Sequence, residues 1–142
     1  MEHTDLDHYN FILHFYIKHT YKPLALIQKK IPLPMSNGWD IGTERRAPNG
    51  EKLGGIRKET YWNYQIQIQG RRDFFNYSVT FLIDLIQKHQ LEEFFQEITS
   101  DGGEVNLIIN LMSNRNIGDT LTIKQLQLLA KYNINLGVEY FS

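Results

Sequence analysis

Cysteine is missing from all 142 residues. Its absence excludes disulfide stapling, thiolate catalysis and every zinc or iron–sulfur site that depends on a cysteine ligand. It also fits a reducing compartment. No apolar run approaches the roughly 18 residues that a membrane-spanning helix needs. The opening stretch, MEHTDLDH, is polar and acidic, whereas a signal peptide has a basic start and an apolar core. A soluble, cytoplasmic protein with no membrane partner is therefore expected. An excess of one charge is lacking too, since 15 basic side chains oppose 16 acidic ones for a net charge of -1. That balance disfavours a protein built mainly to coat nucleic acid or anionic lipid.

What is present is a capable apolar fraction, 42% of the chain, with 13% aromatic residues. These shares belong to a globular protein, and the length suits one core rather than two. Four segments alternate with period two. Phe11, Leu13, Phe15 and Ile17 share one face of the first, and Trp62, Tyr64, Ile66 and Ile68 one face of the second. Val105, Leu107, Ile109 and Leu111 do so in the third, and Ile134, Leu136, Val138 and Tyr140 in the last. Such alternation marks strands with one face on a core and one towards water, and favours an antiparallel or mixed sheet.

Between these strands the period lengthens to that of a helix. Phe75, Val79, Leu82 and Ile86 form a stripe widened by Phe74, Phe81 and Leu85. A second piece carries Leu91, Phe94, Phe95 and Ile98 and stops before Asp101-Gly102-Gly103. Near the end of the sequence, Thr122 and Gln125 have capping-box spacing, with Ile123, Leu126 and Leu129 expected as the buried stripe and Asn133 as the stop. A short helix is expected from Pro23, carrying Leu24, Ile27 and Ile31. The predicted fold is α+β: a twisted antiparallel or mixed sheet of four or more strands with helices on one face. Residues 1–142 are expected to form a single globular domain with a long irregular loop at about 32–60, a length that is often functional in a compact domain.

Chemistry-bearing motifs are sparse. Gly54-Gly55-Ile56-Arg57-Lys58 could offer backbone N–H groups and cations to an anion, but Walker spacing and the dinucleotide fingerprint are both missing. The competing reading is a surface turn with solvated charges. His3, His8, His14 and His19 cluster near the first strand, yet His14 and His19 have opposite parity and point to opposite faces. No metal site is expected. There is no GxSxG elbow, and Glu92 and Glu93 diverge by about 100° around a helix. Tyr61, Trp62 and Tyr64 lie near Arg57, Lys58, Arg71 and Arg72, an arrangement that can stack bases, but Trp62 and Tyr64 share the core face. Nucleic acid is disfavoured as a partner on that ground. Neither a catalytic residue nor a cofactor is expected, and the chain is read as no enzyme.

The opening strand Asn10-Phe11-Ile12-Leu13-His14-Phe15, the segment Trp39-Asp40-Ile41-Gly42-Thr43-Glu44-Arg45-Arg46 with Trp62 downstream, and the ending from Leu121 to Tyr140 together resemble a bacterial family, domain of unknown function 4279. The resemblance implies a small bacterial or phage α+β domain and supplies no activity and no catalytic residues.

With a core but no chemistry, the leading expectation is a non-catalytic interaction protein. Its specific form is an immunity protein of a toxin–antitoxin kind, neutralising a cognate toxin by direct binding. Trp39, Arg45, Arg46, Arg57 and Lys58 are the expected partner-binding residues, because Trp and Arg combine planar contact with directional hydrogen bonds. The alternative is a small-molecule or nucleotide sensor using Gly54, Gly55, Arg57 and Lys58. Pairing of two copies through a sheet edge is a further expectation.

Overall fold

The protein is described by a computed structural model covering residues 9–112 and 116–140. Its centre is a ten-residue strand, β1 (Asn10–His19), whose odd-numbered side chains from Phe11 to His19 are all buried while the even-numbered ones are partly exposed. Alternation this strict lets the strand serve both faces of a sheet. β1 pairs antiparallel with β5 (Thr60–Gln69) on one side and with β6 (Gly103–Leu111) on the other. β7 (Ile134–Tyr140) runs parallel to β6, and the three-residue β2 (Asn37–Trp39) pairs with β5, so the mixed sheet has the order β2-β5-β1-β6-β7.

Helices cover the odd face of β1. They are α1 (Leu24–Lys30), α2 (Phe74–Lys88), α3 (Glu92–Ser100) and α4 (Ile123–Lys131). Phe15 stands at the middle of the core, edge-on to Trp62 with ring centroids 5.2 Å apart and 6.1 Å from Phe95 of α3. The expected α+β architecture with helices on one face is what the chain adopts. Gly102, at φ 88°, turns the chain out of α3 in a conformation that side chains rarely hold, and its carbonyl accepts the Thr20 N–H at 3.1 Å. The capping box of α4 is complete: Thr122 Oγ1 accepts the Gln125 N–H and Gln125 Oε1 accepts the Thr122 N–H.

Two expectations need correction. The span 32–60 is not irregular throughout: it contains β2 and a hairpin of β3 (Glu44–Arg46) and β4 (Lys52–Ile56). Every residue of β3 and β4 is exposed, so neither strand carries the apolar alternation by which strands are recognised. The legible signal was Pro48-Asn49-Gly50, a turn in which Gly50 adopts φ 86° and the Ala47 N–H bonds the Glu51 carbonyl at 2.8 Å. The second correction concerns α4. Leu129 is buried, but Ile123 is 75% exposed and Leu126 49%. The inward side of this helix is Leu128, Leu129 and Tyr132 instead, displaced around the axis from the expected stripe. Likewise Ile66 of β5, opposite the buried Leu13 on the helix side, is 39% exposed, and the open-face Asn63 is buried.

Candidate functional site

The face of the sheet away from the helices is lined by amides and aromatics. One row crosses all five strands: Asn37, Asn63, Tyr16, Asn106 and Asn135 are successive neighbours in register. Asn135 Nδ2 donates to Asn106 Oδ1 at 3.1 Å, so part of the row is self-satisfied. The adjacent row holds Trp39, Tyr61 and Lys18. Tyr61 stacks on Trp39 with centroids 4.4 Å apart, Tyr16 lies 5.6 Å from Tyr61, and His14 lies 5.0 Å from Tyr16. The Tyr61 hydroxyl is 3.2 Å from His14 Nε2. Burial pushes the Tyr61 phenol above its ordinary range, helped by Tyr16. Burial lowers the His14 imidazole, against the opposing pull of Glu139 and a hydrogen bond with Asn63. Together these side chains line a shallow cleft of about 410 Å³ with Lys18, Glu59 and Glu139 at its rim.

The β3–β4 hairpin rises beside this face and is held to it by a clip. The guanidinium carbon of Arg57 sits 3.9 Å from the centre of the Trp39 ring. Its NH2 group donates to the Arg46 carbonyl at 3.0 Å. Backbone bonds close the stem, from the Gly42 N–H to the Arg57 carbonyl and from the Arg57 N–H to the Thr43 carbonyl. Asp40 anchors the near side: its Oδ1 accepts the Leu24 N–H at 2.9 Å, satisfying a donor at the start of α1 that Pro23 cannot cap. An exposed hairpin without core contacts is thereby given a fixed position.

The structure distributes the sequence-identified residues unequally. Trp39, Arg45, Gly55, Arg57 and Lys58 meet at one cleft of about 620 Å³. Arg46 lies on the other side, where it pairs with Glu44 at 2.8 Å and donates to the Gly50 carbonyl. Gly54 lines neither cleft, although it and Gly55 both have positive φ. Trp39 and Arg57 are mutually engaged, whereas Arg45 and Lys58 are exposed and make no hydrogen bond or ion pair among the described residues. Leu53 and Ile56 of β4 add apolar surface to the same hairpin, 50% and 61% exposed.

Sequence reasoning missed Tyr16, Tyr61 and His14 as neighbours of Trp39. Their parity was readable, but only pairing of β1 with β5 and of β5 with β2 sets them side by side. His14 and His19 do face opposite sides of β1, and His3 and His8 lie outside the described residues. Trp62 is fully buried, in the core where parity put it. Among the described residues no three His, Asp or Glu side chains gather as metal ligands would. No helix of the described residues is long and apolar enough to cross a membrane. No protein-family model, no curated protein and no solved structure matches the chain.

Proposed function

We propose that the chain is a non-catalytic interaction protein whose contact surface is the β3–β4 hairpin and the aromatic strip beside it. One observation carries this reading: Arg45 and Lys58 stand exposed with no hydrogen-bond or ion-pair partner among the described residues, on a hairpin that also exposes Leu53 and Ile56 and is fixed by the Arg57–Trp39 clip. A preorganised projection of this kind loses little freedom on binding, and unpaired cations beside apolar groups suit an acidic partner surface. The finer form is an immunity protein that covers a cognate toxin sterically, in a chain related to the family that its opening strand, Trp39–Arg46 segment and final helix and strand resemble.

Affinity capture from the native host, run in parallel with the chain and its R45E/K58E variant, tests the proposal. A co-purifying protein that salt releases, and that the variant fails to hold, supports it. Recovery of only the free chain at low salt, or capture indifferent to both charges, overturns it. For the toxin reading, the captured partner should arrest growth when expressed alone and cease to do so when the chain is co-expressed.

A second reading rests on the convergence of Arg45, Arg57, Lys58 and Gly55 at one cleft, which suits an anionic small molecule such as a nucleotide. A ligand that binds only the native state raises its melting temperature by mass action. A nucleotide panel that leaves the melting temperature unmoved at saturating concentration removes this alternative.

A further inference from the structure

The two edges of the sheet are treated differently. β2 is three residues long, lies between Pro34 and the hairpin, and so offers little backbone for pairing. β7 offers seven residues, Ile134 to Tyr140, with no proline, no lysine and no strand on its outer side among the described residues. Natural proteins blunt long edges with such devices, because an unpaired row of N–H and C=O groups recruits another strand.

The helix above this strand also exposes apolar side chains. Tyr132, at the end of α4, turns towards α2, where its hydroxyl receives a hydrogen bond from Gln87 Nε2 at 3.3 Å. Around the helix axis, Ile123, Leu126 and Ala130 lie on the flank away from Tyr132, and all three are exposed. α4 packs over β7, the outermost strand, so these exposed apolar side chains stand at the end of the helical layer beside that strand. Val138, on the helix-facing side of β7, is 44% exposed below it.

We propose that this edge is a two-fold interface with a second copy of the chain, in which β7 pairs antiparallel with β7 of the partner and α4 packs against its counterpart. The β7 sequence is self-complementary for that arrangement. With Gly137 on the two-fold axis, Leu136 faces the partner's Val138 and Ile134 faces the partner's Tyr140, apolar against apolar. On the open face Asn135 meets the partner's Glu139, so no like charges are opposed. Closed two-fold pairing of one patch with itself is the commonest way copies associate. The result is a continuous ten-stranded sheet, with the β3–β4 hairpins at its two far ends and free to act as proposed above.

Analytical ultracentrifugation from micromolar to submillimolar concentration decides this independently of any partner search. The chain should sediment with the mass of two copies. Leu126→Lys and Val138→Lys, both at exposed positions, should each weaken association by about tenfold or more, since the first puts a charge into the apolar contact between the two α4 helices and the second puts one against the partner's Leu136. Circular dichroism should show both variants folded. Amide exchange in β7 should slow as concentration rises, a readout that does not depend on a variant's folding. Single-chain mass across the range overturns the proposal. So does a two-copy species that both lysines leave intact, or one in which exchange at β7 does not respond.

Discussion

At the scale of single residues, His19 shows how a polar group is tolerated within an apolar layer. It is fully buried at the end of β1, where Nδ1 accepts the backbone N–H groups of Lys22 at 2.9 Å and Tyr21 at 3.1 Å. A ring accepting at Nδ1 is neutral. Burial lowers its proton affinity below the usual value of 6.5, with Lys22 adding to the shift and Asp101 opposing it. The unfolded chain therefore binds this proton more readily than the native one. Stability is full above pH 6.5 and declines as pH falls below it, and His14 contributes in the same direction. Thermal melts should give a lower midpoint at about pH 5 than at neutral pH. His19→Gln should cost about 1–3 kcal/mol at neutral pH by stranding two N–H donors, and its melting should depend less on pH. Arg57 holds the hairpin by a planar stack and one carbonyl bond, so Arg57→Ala should lose about 1–2 kcal/mol and speed amide exchange across residues 44–56. Arg57→Lys restores the charge without the plane and should rescue little.

At the scale of elements, local signals were legible wherever the deciding contacts are local. Thr122 and Gln125 close a capping box within four residues, so their spacing revealed it. Thr122→Ala should cost about 1 kcal/mol, read as a lower urea midpoint with unchanged slope. Asn133, at φ 57°, ends the same helix in the left-handed conformation that asparagine tolerates. The inward side of α4 was not legible, because two apolar flanks compete in Ile123-Lys124-Gln125-Leu126-Gln127-Leu128-Leu129. Which one turns inward depends on α2 and β7, which the local sequence does not contain. The hairpin escaped for the opposite reason: its strands bury nothing, and only the Pro48-Asn49-Gly50 turn marks it.

At the scale of the whole molecule, stability rests mainly on a large apolar cluster between sheet and helices, with Phe15 between Trp62 and Phe95, and on a smaller one of Phe11, Phe74, Ile109 and Leu111. Truncation there removes contacts to both layers at once. Phe15→Ala should cost about 3–5 kcal/mol, a large share of the stability of a domain this size, measured by equilibrium denaturation. The open face contributes little to either cluster and is correspondingly free to carry function. Its aromatic strip, its amide row and the clipped hairpin all lie on the side that no helix of the described residues covers.

The order of periods along the chain, the caps and the glycine turns followed from the residues themselves, because each is decided by neighbours within a few positions. That also placed Phe11, Leu13, Phe15 and Ile17 inside and separated His14 from His19. Period two says which face a residue occupies but not which strand lies beside it. The antiparallel pairing of β1 with β5, the parallel pairing of β6 with β7, and the place of β7 at the end of the strand order therefore came only from the tertiary structure. So did the meeting of Trp39 with Arg57 and Tyr61, since a stack between distant residues exists only once long-range strand pairing has brought their backbones together.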